Sequence, residues 1–200
     1  MQLPHCSKTD SRKNLAKVAS GVLLFLVAAV LPAQLQHETL VEQSADYLSL
    51  QMTVAGADVE SLFTTLRDGM RVRVEFRIRF SYPRQRPFRL LGDQLLREFN
   101  PSVEARWDPF LESYYLVTDD QTTTTYRDEA AFYADLFTLR DYRIPWSAVR
   151  LEPGLVVETS AEYTPIVFVP GLSILSLFTA NRSDSSPWDR LVINHAAVSP

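Results

Sequence analysis

The sequence predicts a mainly β fold, on the border with α+β: an antiparallel β-sandwich with a few short helices, preceded by an N-terminal hydrophobic signal or anchor helix. Three observations carry this. Met70 to Tyr82 alternates apolar and polar residues over six pairs, and Asp46 to Val54 alternates in the same way. Helical spacing is confined to short stretches in the body of the chain, two of them opened by an aspartate.

The chain starts differently from the rest. Lys8, Arg12, Lys13 and Lys17 precede the run Val18 to Leu31, which is 14 residues long and apolar apart from Ser20 and Gly21. Pro32, Ala33 and Gln34 come next. Basic, apolar, then small residues is the order of a secretory signal, and about 20 apolar residues would be needed to span a bilayer. Leu31 occupies a position where cleavage after Ala33 prefers a small residue, so two readings stay open: a cleaved signal, or an uncleaved anchor touching the membrane through residues 18–31. All three lysines lie before the apolar run, and every later basic residue apart from histidine is arginine. The leader carries four basic residues against Asp10; the remainder carries 16 Arg against 23 acids, and together they give the formal charge of −4. Positive charge ahead of an apolar segment directs the chain beyond that segment to the outside. The expected division is 1–33 as signal or anchor and 34–200 as a single extracytoplasmic domain, in the periplasm or on the outer face of the inner membrane.

Within that domain, Leu48, Leu50, Met52 and Val54 form the apolar side of a first strand. Asp58 caps a short helix whose inner stripe is Val59, Leu62, Phe63 and Leu66, and Gly69 ends it. The Met70–Tyr82 strand sets Val72, Val74, Phe76, Ile78 and Phe80 against Arg71, Arg73, Glu75, Arg77 and Arg79. Pro83 and Pro87 end it. Gly92 to Phe99 reads as a helical turn closed by Asn100-Pro101. Val103 to Trp107 and Leu111 to Thr118 read as strands, Asp119-Asp120-Gln121 as a turn, and Thr122 to Thr125 as a returning strand. Asp128 caps a second helix with Phe132, Leu136 and Leu139 inward. Leu151 to Phe168 carries strand signals broken at Pro165, and Leu191 to Asn194 reads as a final strand. The apolar stretch from Pro170 to Ala180 is too short and interrupted to cross a membrane and reads as core, or as a surface facing a partner.

This order of features includes a tyrosine-rich Glu112 to Val117 (ESYYLV), the proline-containing Ile166 to Phe178 (IVFVPGLSILSLF) and a late Trp188. It resembles a family of uncharacterised bacterial exported proteins, encoded in some bacteria beside a nitrogen-regulation sensor kinase. The resemblance spans about residues 45–192. It implies an extracytoplasmic protein and assigns no activity or site residues.

Chemistry-bearing motifs are scarce. Cys6, the single cysteine, precedes the apolar run, so the domain has no thiol chemistry and no disulfide, and lipidation at the usual site is excluded. His37-Glu38-Thr39-Leu40-Val41 begins like a zinc-protease helix, but Val41 stands where the second histidine is required. There is no nucleophile elbow and no phosphate-binding loop. No cofactor, metal or catalytic residue is expected. What remains is arginine: seven between Arg71 and Arg89, with Glu75 as the single acid among them. Strand alternation puts Arg71, Arg73, Arg77 and Arg79 on one face. They are candidates for binding an anionic envelope component or an unidentified protein partner, since a guanidinium donates two parallel hydrogen bonds to a phosphate or carboxylate. The opposing reading ties them to acids on neighbouring strands, such as Glu158 and Glu162. Nucleic acid is not an expected partner of an acidic domain. The function expected is a non-catalytic binding or structural domain of the envelope, with an extracytoplasmic hydrolase using carboxylates from separate loops as the alternative.

Overall fold

The computed structural model describes residues 34–84, 92–149, 154–167 and 183–193. The hydrophobic leader, the remaining arginines of the cluster at 86 and 89, and the stretch 170–180 lie outside these residues. Among the described residues no helix is long and apolar enough to cross a membrane.

The fold is mainly β, with two antiparallel sheets and two short helices. The small sheet has the order β1-β2-β8, from β1 (Gln36–Gln43), β2 (Tyr47–Ala55) and β8 (Thr138–Pro145). The large sheet is built around β3 (Arg71–Tyr82) and β9 (Leu155–Val167), which pair along almost their whole length. On one side of β3 lie β4 (Gln94–Phe99) and β5 (Ser102–Asp108), then β6 (Ser113–Thr118) and β7 (Thr123–Tyr126). Beyond β9 lie β10 (Asp184–Ser185) and β11 (Asp189–Ile193).

The strand alternation holds side chain by side chain. Val72, Val74, Phe76, Ile78 and Phe80 are fully buried, as are Leu48, Leu50 and Met52 on β2. Both sets belong to one continuous core, joined by Leu62, Phe63 and Leu66 of α1 (Val59–Arg67) and Phe132 and Leu136 of α2 (Glu129–Leu136). Asp58 accepts from the backbone N–H groups of Glu60 and Ser61, and Asp128 from that of Ala131, so both aspartates cap as expected. Met70 and Val59 are exposed, the latter because it is the first residue of α1 and faces outward. Two side-chain bonds tie the sheets: the Thr159 hydroxyl on β9 meets His37 Nε2 at 3.1 Å and the Thr39 hydroxyl at 2.9 Å.

Several expectations are corrected. Residues 94–99 form a strand, not a helical turn. β5 covers only Val72 to Glu75 of the twelve-residue β3, and the rest of that ladder needs partners. β4 supplies them in the same register: Val72 faces Ala105 and Phe80 faces Arg97, without a slip between. β4 and β5 are one strand, interrupted where Pro101 has no N–H to give; its carbonyl still accepts from Phe76 N at 2.9 Å. Leu139 belongs to β8 rather than to the second helix, which ends at Leu136; it pairs with Met52 and gives β2 its second neighbour. β6 begins at Ser113, because Asp108 Oδ1 holds the N–H groups of Phe110 and Leu111 in a turn. β9 runs through Pro165, where a register shift opposite Arg71–Arg73 absorbs the missing donor. β1 and β8 are strands that the sequence pattern did not announce.

Candidate functional site

Alternation along β3 sends Arg71, Arg73, Glu75, Arg77 and Arg79 to the outer face of the large sheet, where each side chain is partly exposed. The neighbouring strands present acids to them. Glu104 on β5 accepts from Arg71 at 2.9 Å and from Arg73 at 3.4 Å. Arg77 donates to Glu75 at 3.2 Å and also to Glu162 on β9. Glu75 and Glu162 are directly opposite across the ladder, so Arg77 neutralises a pair of like charges that would otherwise repel. Arg79 Nε lies 3.3 Å from Glu98 on β4, and its guanidinium sits 4.1 Å from the ring centroid of Trp188. The four arginines thus meet four carboxylates, those of Glu75, Glu98, Glu104 and Glu162.

Of the two acids expected to pair with the stripe, Glu162 does so. Glu158 lies opposite Arg79 and Arg190 in the ladder, while Arg190 pairs with Asp93. Glu98, Glu104 and Trp188 are partners that sequence reasoning missed. Glu104 was legible, since Ser102, Glu104 and Arg106 form the wet side of an alternating strand. Glu98 was hidden by the helical reading of its segment.

A second feature has no sequence signal. A cleft of about 690 Å³ opens where the β4–β5 junction, the β6–β7 turn and β8 come together. Phe99, Pro101, Val103, Leu139 and Tyr142 supply its apolar wall. Its polar lining includes Asp119, Asp120, Glu98 and Arg140. Asp119 bridges two of these segments: its carboxylate accepts from Ser102 N at 2.6 Å and from the Ser102 hydroxyl at 2.7 Å. Asp120 accepts from the Thr118 hydroxyl and from Thr122 N, and the first of these bonds chiefly holds its pKa below the usual carboxylate range. Arg140 is bound at 2.5 Å to Asp135. Burial, and then the negative charge of Asp119, push the Tyr142 phenol up from its ordinary value of 10.0. These residues come from three widely separated stretches, and only the fold assembles them.

His37 Nε2 lies 3.1 Å from the Thr159 hydroxyl. His37 Nδ1 is buried with no hydrogen-bond partner among the described residues, and desolvation lowers the pKa of the ring. Among the described residues no group of three or more His, Cys, Asp or Glu side chains is gathered to hold a metal ion. No family model matches this chain, and neither does any curated protein or solved structure.

Proposed function

We propose that this chain is an exported envelope protein with an antiparallel β-sandwich as its body, a non-catalytic binding or structural module of the periplasm or the outer face of the inner membrane. The observation that carries the reading is the paired outer face of the large sheet. Four arginines opposite four carboxylates make a locally neutral lattice that ties β3 to β4, β5 and β9. Such a face does not concentrate anions, because its positive charge is already compensated. The basic leader ahead of an apolar run supports export.

Asp120 is poorly suited to be the general acid of a hydrolase. A carboxyl that serves as a general acid near neutral pH needs a raised pKa. Asp120 is shifted the other way, and Asp119 is engaged in holding the β5 strand.

The test is Arg73→Glu with Arg77→Glu in the full chain. On this reading any salt-sensitive co-sedimentation with phosphatidylglycerol vesicles comes from the basic leader, so the wild type and the double variant co-sediment equally. The double variant loses about 1–3 kcal/mol of stability, as three ion pairs turn repulsive. Salt-sensitive binding by the wild type that vanishes in a fully stable variant would instead make the stripe an anion site.

A further inference from the structure

The end cleft combines three properties. It is large enough for a small ligand, within the range of about 300–1,000 Å³ typical of such sites. Its wall is aromatic and aliphatic, with Tyr142 and Phe99 half-buried beside Leu139 and Pro101. Its uncompensated charge is one-sided: Asp119 and Asp120 line it, while the other two charged groups there are paired, Glu98 with Arg79 and Arg140 with Asp135. We infer that this cleft is a binding site for an amphipathic cation, an ammonium group on an apolar body.

The lining dictates how such a ligand would sit. The apolar body would lie along Phe99, Leu139 and the face of Tyr142, displacing water from surface that is otherwise wetted. The ammonium would sit at the β6–β7 turn. There Asp120 uses Oδ1 for its bonds to Thr118 and Thr122, and these bonds leave Oδ2 unused. The Tyr142 ring face attracts a cation through its quadrupole. An anionic headgroup would meet Asp119 and Asp120 together and be repelled. Glu98 belongs to both the cleft and the outer-face lattice, but the apolar wall and the Asp119–Asp120 turn belong to the cleft, and these are what the probes test.

Three probes with one apolar body and different heads separate the possibilities: octylammonium, octanol and octanoate, each below its micellar concentration. The full chain is titrated and followed by amide chemical shifts. Half-burying the octyl chain and adding one exposed ion pair corresponds to a dissociation constant on the order of 1 mM for octylammonium. Its saturable shifts should centre on Ser102–Val103, Thr118–Asp120 and Leu139–Tyr142. Octanol should bind more weakly and octanoate not detectably. Asp120→Asn keeps the Oδ1 acceptor and removes the charge; it should weaken octylammonium by about threefold and leave octanol unchanged. Tyr142→Ala should weaken both. Equal binding of octanol and octylammonium would overturn the cation assignment, as would tighter binding of octanoate or insensitivity to Asp120→Asn. Saturable shifts centred elsewhere, or none at all, would remove the site.

Discussion

Replacing Phe76 with alanine tests the strand register that organises the core. Phe76 is fully buried at the middle of β3, facing Ala161 on β9, and its N–H is bonded to the Pro101 carbonyl. The side chain therefore loses its whole apolar surface to water in the unfolded state, about 2 kcal/mol of transfer free energy. Truncation also removes roughly 100 Å³ of side chain, and at about 24 cal/mol per Å³ of remaining cavity this adds up to ~2.4 kcal/mol if nothing relaxes. The total is about 3–5 kcal/mol, a large fraction of the ~5–15 kcal/mol that holds a typical domain together. In a domain of this size each kcal/mol lowers the melting temperature by about 2–4 °C. Thermal unfolding followed by circular dichroism should therefore show a fall of roughly 6–20 °C, with the exposed Met70→Ala as a control that barely moves. A fall of less than about 3 °C in a variant with a native spectrum would refute the register, because a slip by one residue is what would bring Phe76 to the wet face.

Two more outcomes concern the backbone and titration. Gly56 has φ of +92°, and a Cβ there would lie 2.7 Å from the Gln34 carbonyl oxygen; Gly69 has φ of +81° with open space around it. Gly69→Ala should cost only the left-handed backbone, about 1–2 kcal/mol, and Gly56→Ala measurably more in urea denaturation; equal costs would remove the clash as a cause. Desolvation lowers the pKa of His37 in the folded state, so the unfolded chain takes up the proton first as pH falls below the ordinary value of 6.5. The stability associated with neutral His37 is thus complete above that pH and declines as pH drops toward the folded value, at no more than about 1.4 kcal/mol per pH unit. His37→Gln should flatten this part of the stability–pH curve between pH 7 and 5; superimposable slopes would exclude His37 as its source.

The elements that could be read from sequence are those whose own residues demand one solution. β3 alternates over its whole length, so burial leaves it a single orientation. The two helices have aspartate caps and apolar residues at helical spacing. The elements that escaped are those decided by partners far along the chain. Leu95, Leu96 and Phe99 have a spacing that suits a helix, yet the unpaired half of β3 draws them into the sheet. β1 carries Leu40 on its exposed side and His37 and Thr39 beside Val41 on its inner side, so only one apolar residue marks the buried face and the alternation is weak. The arginine face was legible as a face, and Glu162 was named among the acids that could neutralise it; Glu98 and Glu104 were not, because their strands had first to be placed beside β3. The cleft was illegible altogether, since Phe99, Asp120 and Tyr142 converge only through the topology.

The arrangement of β1 has a mechanical consequence. Its first residues are paired at the open end of the β1–β2 hairpin, with Gln36 opposite Ala55 and Gln43 next to the turn. Tension entering the domain from its N-terminal side would open this hairpin one residue pair at a time, like a zip, instead of shearing all its hydrogen bonds together. The contacts of His37 and Thr39 with Thr159 sit near that open end and would carry the load among the first. A pull along the chain would therefore unfasten β1 from both sheets at low force, while β3 and β9, locked by their long shared ladder, would stay in place.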